Sequence, residues 1–77
     1  MNQRIKQIIA DVLGLDVDAV VDDFSRDTAD SWDSLNHLRI VTALEQEFAI
    51  TLSMEEIQGA GSVGRLIEIV TRLSGTK

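Results

Sequence analysis

The chain has 77 residues, 44% of them apolar, with no cysteine and a formal charge of −6. That length holds one domain with a small core built mostly of Ile, Leu and Val; disulfides and thiolate metal sites are excluded, and stability has to come from closely packed helices. Eight aspartates between Asp11 and Asp33 face the single Arg26, a field that repels phosphate backbones and anionic membranes and argues against nucleic-acid binding.

Asn2 to Leu13 is expected to form the first helix. Ile5, Ile8, Ile9, Val12 and Leu13 recur at i, i+3, i+4, i+7 and i+8, one apolar stripe, and Gly14 follows where a left-handed residue would close the helix. From Leu15 to Trp32 no period persists. About eighteen irregular residues are long for a small domain, and the scattered Leu15, Val17, Val20, Val21 and Phe24 suggest a loop packed across one end of a bundle. A short helical turn is expected near Asp18 to Val21. Asp16, Asp18, Asp22 and Asp23 do not make a calcium loop, because Val20 breaks the alternation of oxygen ligands and no central glycine is present.

Asp33 is the expected N-cap of the second helix, which makes Ser34 its first residue, exposed at the helix mouth. Asn36 stands where a capping box would place Glu or Gln. Around this helix Ile40, Val41, Leu44 and Phe48 share an arc to be buried, with Leu38 at its edge; Leu35, Arg39, Thr42 and Gln46 share the opposite face. Ile50 to Leu52 read as an extended link. Ser53 and Glu56 form a full capping box for a short helix through Met54, Ile57 and Gln58, broken at Gly59-Ala60-Gly61. Ser62 caps a last helix whose inward stripe is Val63, Leu66, Ile67, Val70 and Leu73. No span approaches the roughly 20 apolar residues of a membrane helix, and no cleavable signal opens the chain, so a cytoplasmic protein is expected. The expected fold is an all-α four-helix bundle, three longer helices plus a short one, with a long first loop. It forms a single domain over residues 1–77 with a disordered tail at about 74–77.

Asp33-Ser34-Leu35 opens an amphipathic helix that ends Ala-Leu-Glu-Gln-Glu-Phe-Ala-Ile. The tripeptide at this depth, in a chain of this length, resembles the acyl carrier protein family over nearly all of the sequence. In that family the serine of Asp-Ser-Leu carries 4′-phosphopantetheine, installed from coenzyme A by a phosphopantetheinyl transferase. The resemblance therefore implies covalent attachment at Ser34, with Asp33 and Leu35 completing the motif, and a non-catalytic carrier that holds an acyl or aminoacyl group as a thioester. It also accounts for the long first loop, which returns the chain to bring the serine to one end. A loading ligase and downstream transferases are expected to dock on Leu35, Arg39, Thr42 and Gln46 of a monomer, together with the acidic loop. The core is a candidate shelter for a lipophilic cargo.

Several residues depart from the fatty-acid carriers. Their recognition helix is strongly acidic, whereas Asn36, Arg39 and Gln46 dilute that charge here. Trp32 stands where a small residue is usual, and Ala49 replaces the glycine that ends the helix. Because alanine tolerates positive φ poorly, the helix is expected to end in another way. These departures favour a specialised pathway over fatty-acid synthesis. His37, the chain's one histidine, lies three residues from Ser34 and raises a Ser-His esterase as a rival reading. No third orienting group or oxyanion loop accompanies the pair, so His37 is expected to be half-buried with a satisfied ring nitrogen, near the entrance to the core. Trp32 is expected to pack beside it or to serve partner recognition. A second rival is an unmodified helical adaptor of the same fold.

Overall fold

The isoleucine stripe produces α1 (Asn2–Leu13), which buries Ile5, Ile8, Ile9, Ala10 and Leu13. Gly14 closes it at φ +72°, a conformation that glycine adopts without cost. The structure is a computed structural model, described over residues 2–75. After α1 come a 3₁₀ turn at Val17–Ala19, then α2 (Ser34–Phe48), α3 (Met54–Gly59) and α4 (Val63–Ser74). The single turn lies one residue earlier than the spacing suggested. Among the described residues there is no strand, and Ser25 and Ser62 form one isolated antiparallel bridge. The all-α bundle of three longer helices and a short one is thus observed.

α1 packs against both α2 and α4, and α2 meets α4. Ile5, Ile9, Ile40, Leu44, Leu66, Ile69 and Val70 are almost fully enclosed between them. Each such side chain contributes about 1.5–3 kcal/mol by leaving water, and this apolar burial holds together a chain with no covalent staple. The α4 stripe differs from its expected form. Ile69 is buried, whereas Ile67 and Leu73 are only partly covered. The face is turned slightly because α1 and α2 both press on α4. Leu38, expected at the edge of the buried arc of α2, is instead 53% exposed. No neighbouring element reaches around the helix far enough to cover it.

The first loop is tied down rather than merely draped over the bundle. Val20 and Trp32 are buried in the core and Phe24 packs against it. The backbone N–H groups of Val63 and Gly64 donate to the carbonyls of Phe24 (2.9 Å) and Asp22 (3.0 Å), and Arg26 N–H donates to Gly61 O (3.0 Å). The loop therefore supplies acceptors for the first-turn donors of α4, which no helix satisfies internally. Ser62 adds the side-chain cap, accepting from Arg65 N–H. Lys6 pairs with Asp22 at 2.8 Å and fixes the loop to α1.

Two helix ends depart from expectation. Ala49 ends α2 in the left-handed region, at φ 55° and ψ 48°. The chain reaches the usual turn despite the Cβ, because the Ala49 N–H closes on Glu45 O and Ile50 N–H follows to the same carbonyl. α4 includes Ser74 and is closed by Gly75 at φ +73°. Residues 76 and 77 of the expected tail lie outside the described residues.

Candidate functional site

Trp32 N–H closes a turn on Ala29 O at 3.0 Å, and Asp33, extended at φ −89° and ψ −176°, caps α2 by accepting from Asn36 N–H at 2.9 Å. The Asn36 side chain cannot complete a capping box but does related work, donating through Nδ2 to the Ser31 carbonyl at 2.7 Å. His37 N–H makes the first bond of the helix, to Asp33 O at 2.8 Å. Ser34 follows the cap as the first helical residue and is exposed. Its hydroxyl makes no hydrogen bond among the described residues, and the backbone N–H groups of Ser34 and Leu35 have no protein acceptor there either. The site is thus an unengaged alcohol beside free donors at the positive end of a helix dipole, a setting that favours an anionic substituent.

His37 is buried outright, at 4% exposure, where half-burial was expected. Trp32 Nε1 donates to His37 Nδ1 at 3.0 Å, and His37 Nε2 lies 2.6 Å from the Ile57 carbonyl. An indole nitrogen can only donate. Nδ1 must therefore be the bare nitrogen, and Nε2 carries the proton given to Ile57 O. The ring links the first loop, α2 and the end of α3 in one relay. Trp32 is 2% exposed and packs on His37 and on Phe24, with ring centroids 6.1 and 6.0 Å apart. It forms the expected contact with His37, and its burial removes it from direct partner recognition. Breaking the relay from one side leaves a buried polar group unpaired, at a cost of about 1–3 kcal/mol. Both ring nitrogens being committed, neither can take the Ser34 proton, and the Ser-His pair needed for an esterase is not assembled.

On the outer side of α2, Leu35 (59% exposed), Arg39, Thr42 and Gln46 lie together as the spacing indicated. They line a shallow groove of about 320 Å³, along with Leu38 and Ala43. Sequence reading missed these last two, although 35, 38, 39, 42, 43 and 46 form an unbroken i, i+3, i+4 progression. Arg39 makes no ion pair among the described residues. The aspartates of the first loop do not converge: among the described residues no group of three acidic, His or Cys side chains is arranged to hold a metal ion.

The sequence pattern of the family described as phosphopantetheine attachment site matches residues 3–70, from the start of α1 into α4. In three dimensions the chain resembles the solution structure of a holo acyl carrier protein from Geobacter metallireducens. The TM-score is 0.85 and the identity 26%, over 96% of this chain and 85% of that one. No helix among the described residues is long and apolar enough to cross a membrane. The chain belongs to the phosphopantetheine-attachment family, and it is a non-enzymatic carrier protein whose prosthetic group is 4′-phosphopantetheine and which is served by a phosphopantetheinyl transferase.

Proposed function

We propose that Ser34 is the residue to which the prosthetic group is joined, and that the chain is a single carrier domain presenting an acyl or aminoacyl group to the enzymes of a specialised cytoplasmic pathway. One observation carries this reading: Ser34 is exposed on the first turn of a capped helix, and its hydroxyl is unbonded among the described residues. The bound group supplies a thiol on a flexible arm, where cargo is held as a thioester. Ser34 offers the acceptor oxygen, and the Asp33 cap fixes that oxygen in place without using it. The free N–H groups of Ser34 and Leu35 favour the phosphodiester charge. The base that takes the serine proton has to come from the transferase, since His37 is occupied on both sides.

The docking face is Leu35, Arg39, Thr42 and Gln46, with Leu38 added by its exposure. Loading ligases and downstream transferases that meet it find two leucines around a cation with no ion pair among the described residues, rather than a row of carboxylates. A partner with an apolar ridge and an acidic group fits that surface. The carrier acts as a monomer and has no role with nucleic acid.

Incubation with coenzyme A and a broad-specificity transferase, followed by intact mass, tests the assignment. Wild-type protein should gain one phosphopantetheinyl group. Ser34→Ala should gain none while keeping its thermal midpoint, because the helix cap belongs to Asp33. No gain on the wild type would leave an unmodified adaptor of the same fold, and an equal gain on the variant would place the attachment at a residue other than Ser34.

A further inference from the structure

A group tethered at Ser34 has two apolar directions available, because the residues one turn along α2 diverge: His37 faces the core and Leu38 faces solvent. The inward direction is walled off. Trp32 and His37 stand two residues before and three after the serine, both buried and bonded to each other. The far side of the imidazole is held by the Ile57 carbonyl, so the wall runs from the first loop through α2 to α3. Phe24 stacks on the indole behind it. Beyond the wall, Ile40, Leu44 and Leu66 are wholly enclosed, in an interior whose close packing leaves no space to give away. Every buried side-chain polar atom among the described residues has a partner, so no group in the wall is waiting for a ligand.

We propose that the Trp32–His37–Ile57 relay shuts the Ser34 end of the bundle, so that cargo on the arm stays outside the core. The proposal rests on Ser34 being the attachment point. A lipophilic chain entering from there would have to break both buried hydrogen bonds and prise apart close-packed side chains, a combined cost that offsets what its methylenes gain on leaving water, and a short or polar acyl or aminoacyl group gains less still. Trp32 and His37 thereby determine specificity. They suit the carrier to cargo that tolerates water and exclude the sheltering of a long aliphatic chain, one of the roles the sequence left open to the core.

The test loads wild-type protein, His37→Ala, Trp32→Phe and Ile69→Val with acetyl or octanoyl groups, using the corresponding coenzyme A thioesters and a broad transferase. Intact mass verifies loading. The readouts are methyl NMR of Ile40, Leu44 and Leu66 and the rate at which hydroxylamine cleaves the thioester. In the wild type both groups should be cleaved at the same rate, with core methyls unmoved between them. In His37→Ala, which removes both relay hydrogen bonds, the octanoyl group should be cleaved at least about tenfold more slowly than acetyl, about tenfold being the population change for one buried hydrogen bond, and the core methyls should shift. Trp32→Phe, which keeps an aromatic ring but not the donor, should act the same way and stands in if His37→Ala does not fold. Ile69→Val loosens the core away from the relay and should give no protection. Octanoyl protection in the wild type, none in either relay variant, or equal protection in Ile69→Val would overturn the proposal. Absence of any mass gain would instead overturn the assignment of Ser34.

Discussion

An attachment serine has to be reachable, fixed in place and chemically quiet, and the residues around Ser34, the proposed attachment point, meet these demands separately. Asp33 fixes the helix start by bonding to Asn36 N–H, which leaves the serine oxygen free. His37, close enough in sequence to activate it, is turned inward and held by two partners. At the other end of the same helix, Ala49 holds a left-handed conformation in the open, exposed and with its Cβ as the sole objection. Ala49→Gly should relieve that strain. The left-handed region costs a side-chain-bearing residue about 1–2 kcal/mol, part of which is returned by the greater freedom of glycine in the unfolded chain. A net gain of about 1 kcal/mol, read from urea denaturation, is the expected outcome. A loss would show that the Ala49 conformation is not strained.

Among the helices, α3 depends most on polar attachments. It has only six residues, fewer than a helix needs to persist alone. Its N-terminus is closed by the reciprocal Ser53–Glu56 box, with Ser53 N–H to Glu56 Oε1 at 2.8 Å. Glu45 reaches from α2 to Leu52 N–H, Arg72 reaches from α4 to Glu56 at 2.5 Å, and His37 holds the last turn. The Ser53 backbone N–H, and after it Arg72, keep the Glu56 carboxyl below the usual carboxylate range. A lowered carboxyl stabilises the fold above its ordinary pKa, about 4.3, and that contribution disappears as pH falls through the lowered value. Glu56→Gln retains a side chain able to complete the box but not the charge. Its thermal midpoint should be lower than wild type at neutral pH and should fall less steeply below about pH 5. Parallel curves for the two proteins would remove Glu56 from the acid response.

The whole molecule carries 13 acidic residues against 7 basic ones. Among the described residues of the first loop, Asp22 is the one aspartate in an ion pair. The remaining charge repels itself across a body with a radius of gyration of 11.1 Å, well within the Debye length of about 30 Å in dilute buffer near 0.01 M. Screening should therefore stabilise it. Moving to about 0.5 M NaCl, where the Debye length is below about 5 Å, should raise the midpoint by a few degrees in circular dichroism. A fall would mean that the surface ion pairs outweigh the repulsion. The same charge distribution bears on the proposed docking face. Acid is gathered on the loop, while the exposed side of α2 offers Leu35, Leu38 and Arg39, so a partner docking as proposed would meet two chemically different surfaces.

The caps, the helix stripes and the exposed start of α2 were legible in the amino-acid order, because each depends on contacts within a few residues. Asp33, Ser53 and Ser62 all accept the N–H three positions on, as their types and spacing required. Leu35, Arg39, Thr42 and Gln46 shared a face for the same local reason. What lay outside that reach was decided by packing. Leu38 sits on a boundary that periodicity alone does not resolve, and it is exposed because no other element covers it. Ile69 displaced Ile67 in the core because α4 is pressed from two sides. Burial of His37 required an acceptor from Ile57, twenty residues away, and no local pattern specifies such a partner. The order of residues thus determined where the chain bends and which oxygen stands free. The meeting of the first loop, α2 and α3 decided what lies behind that oxygen, since a buried hydrogen bond exists only when distant backbone is brought to it.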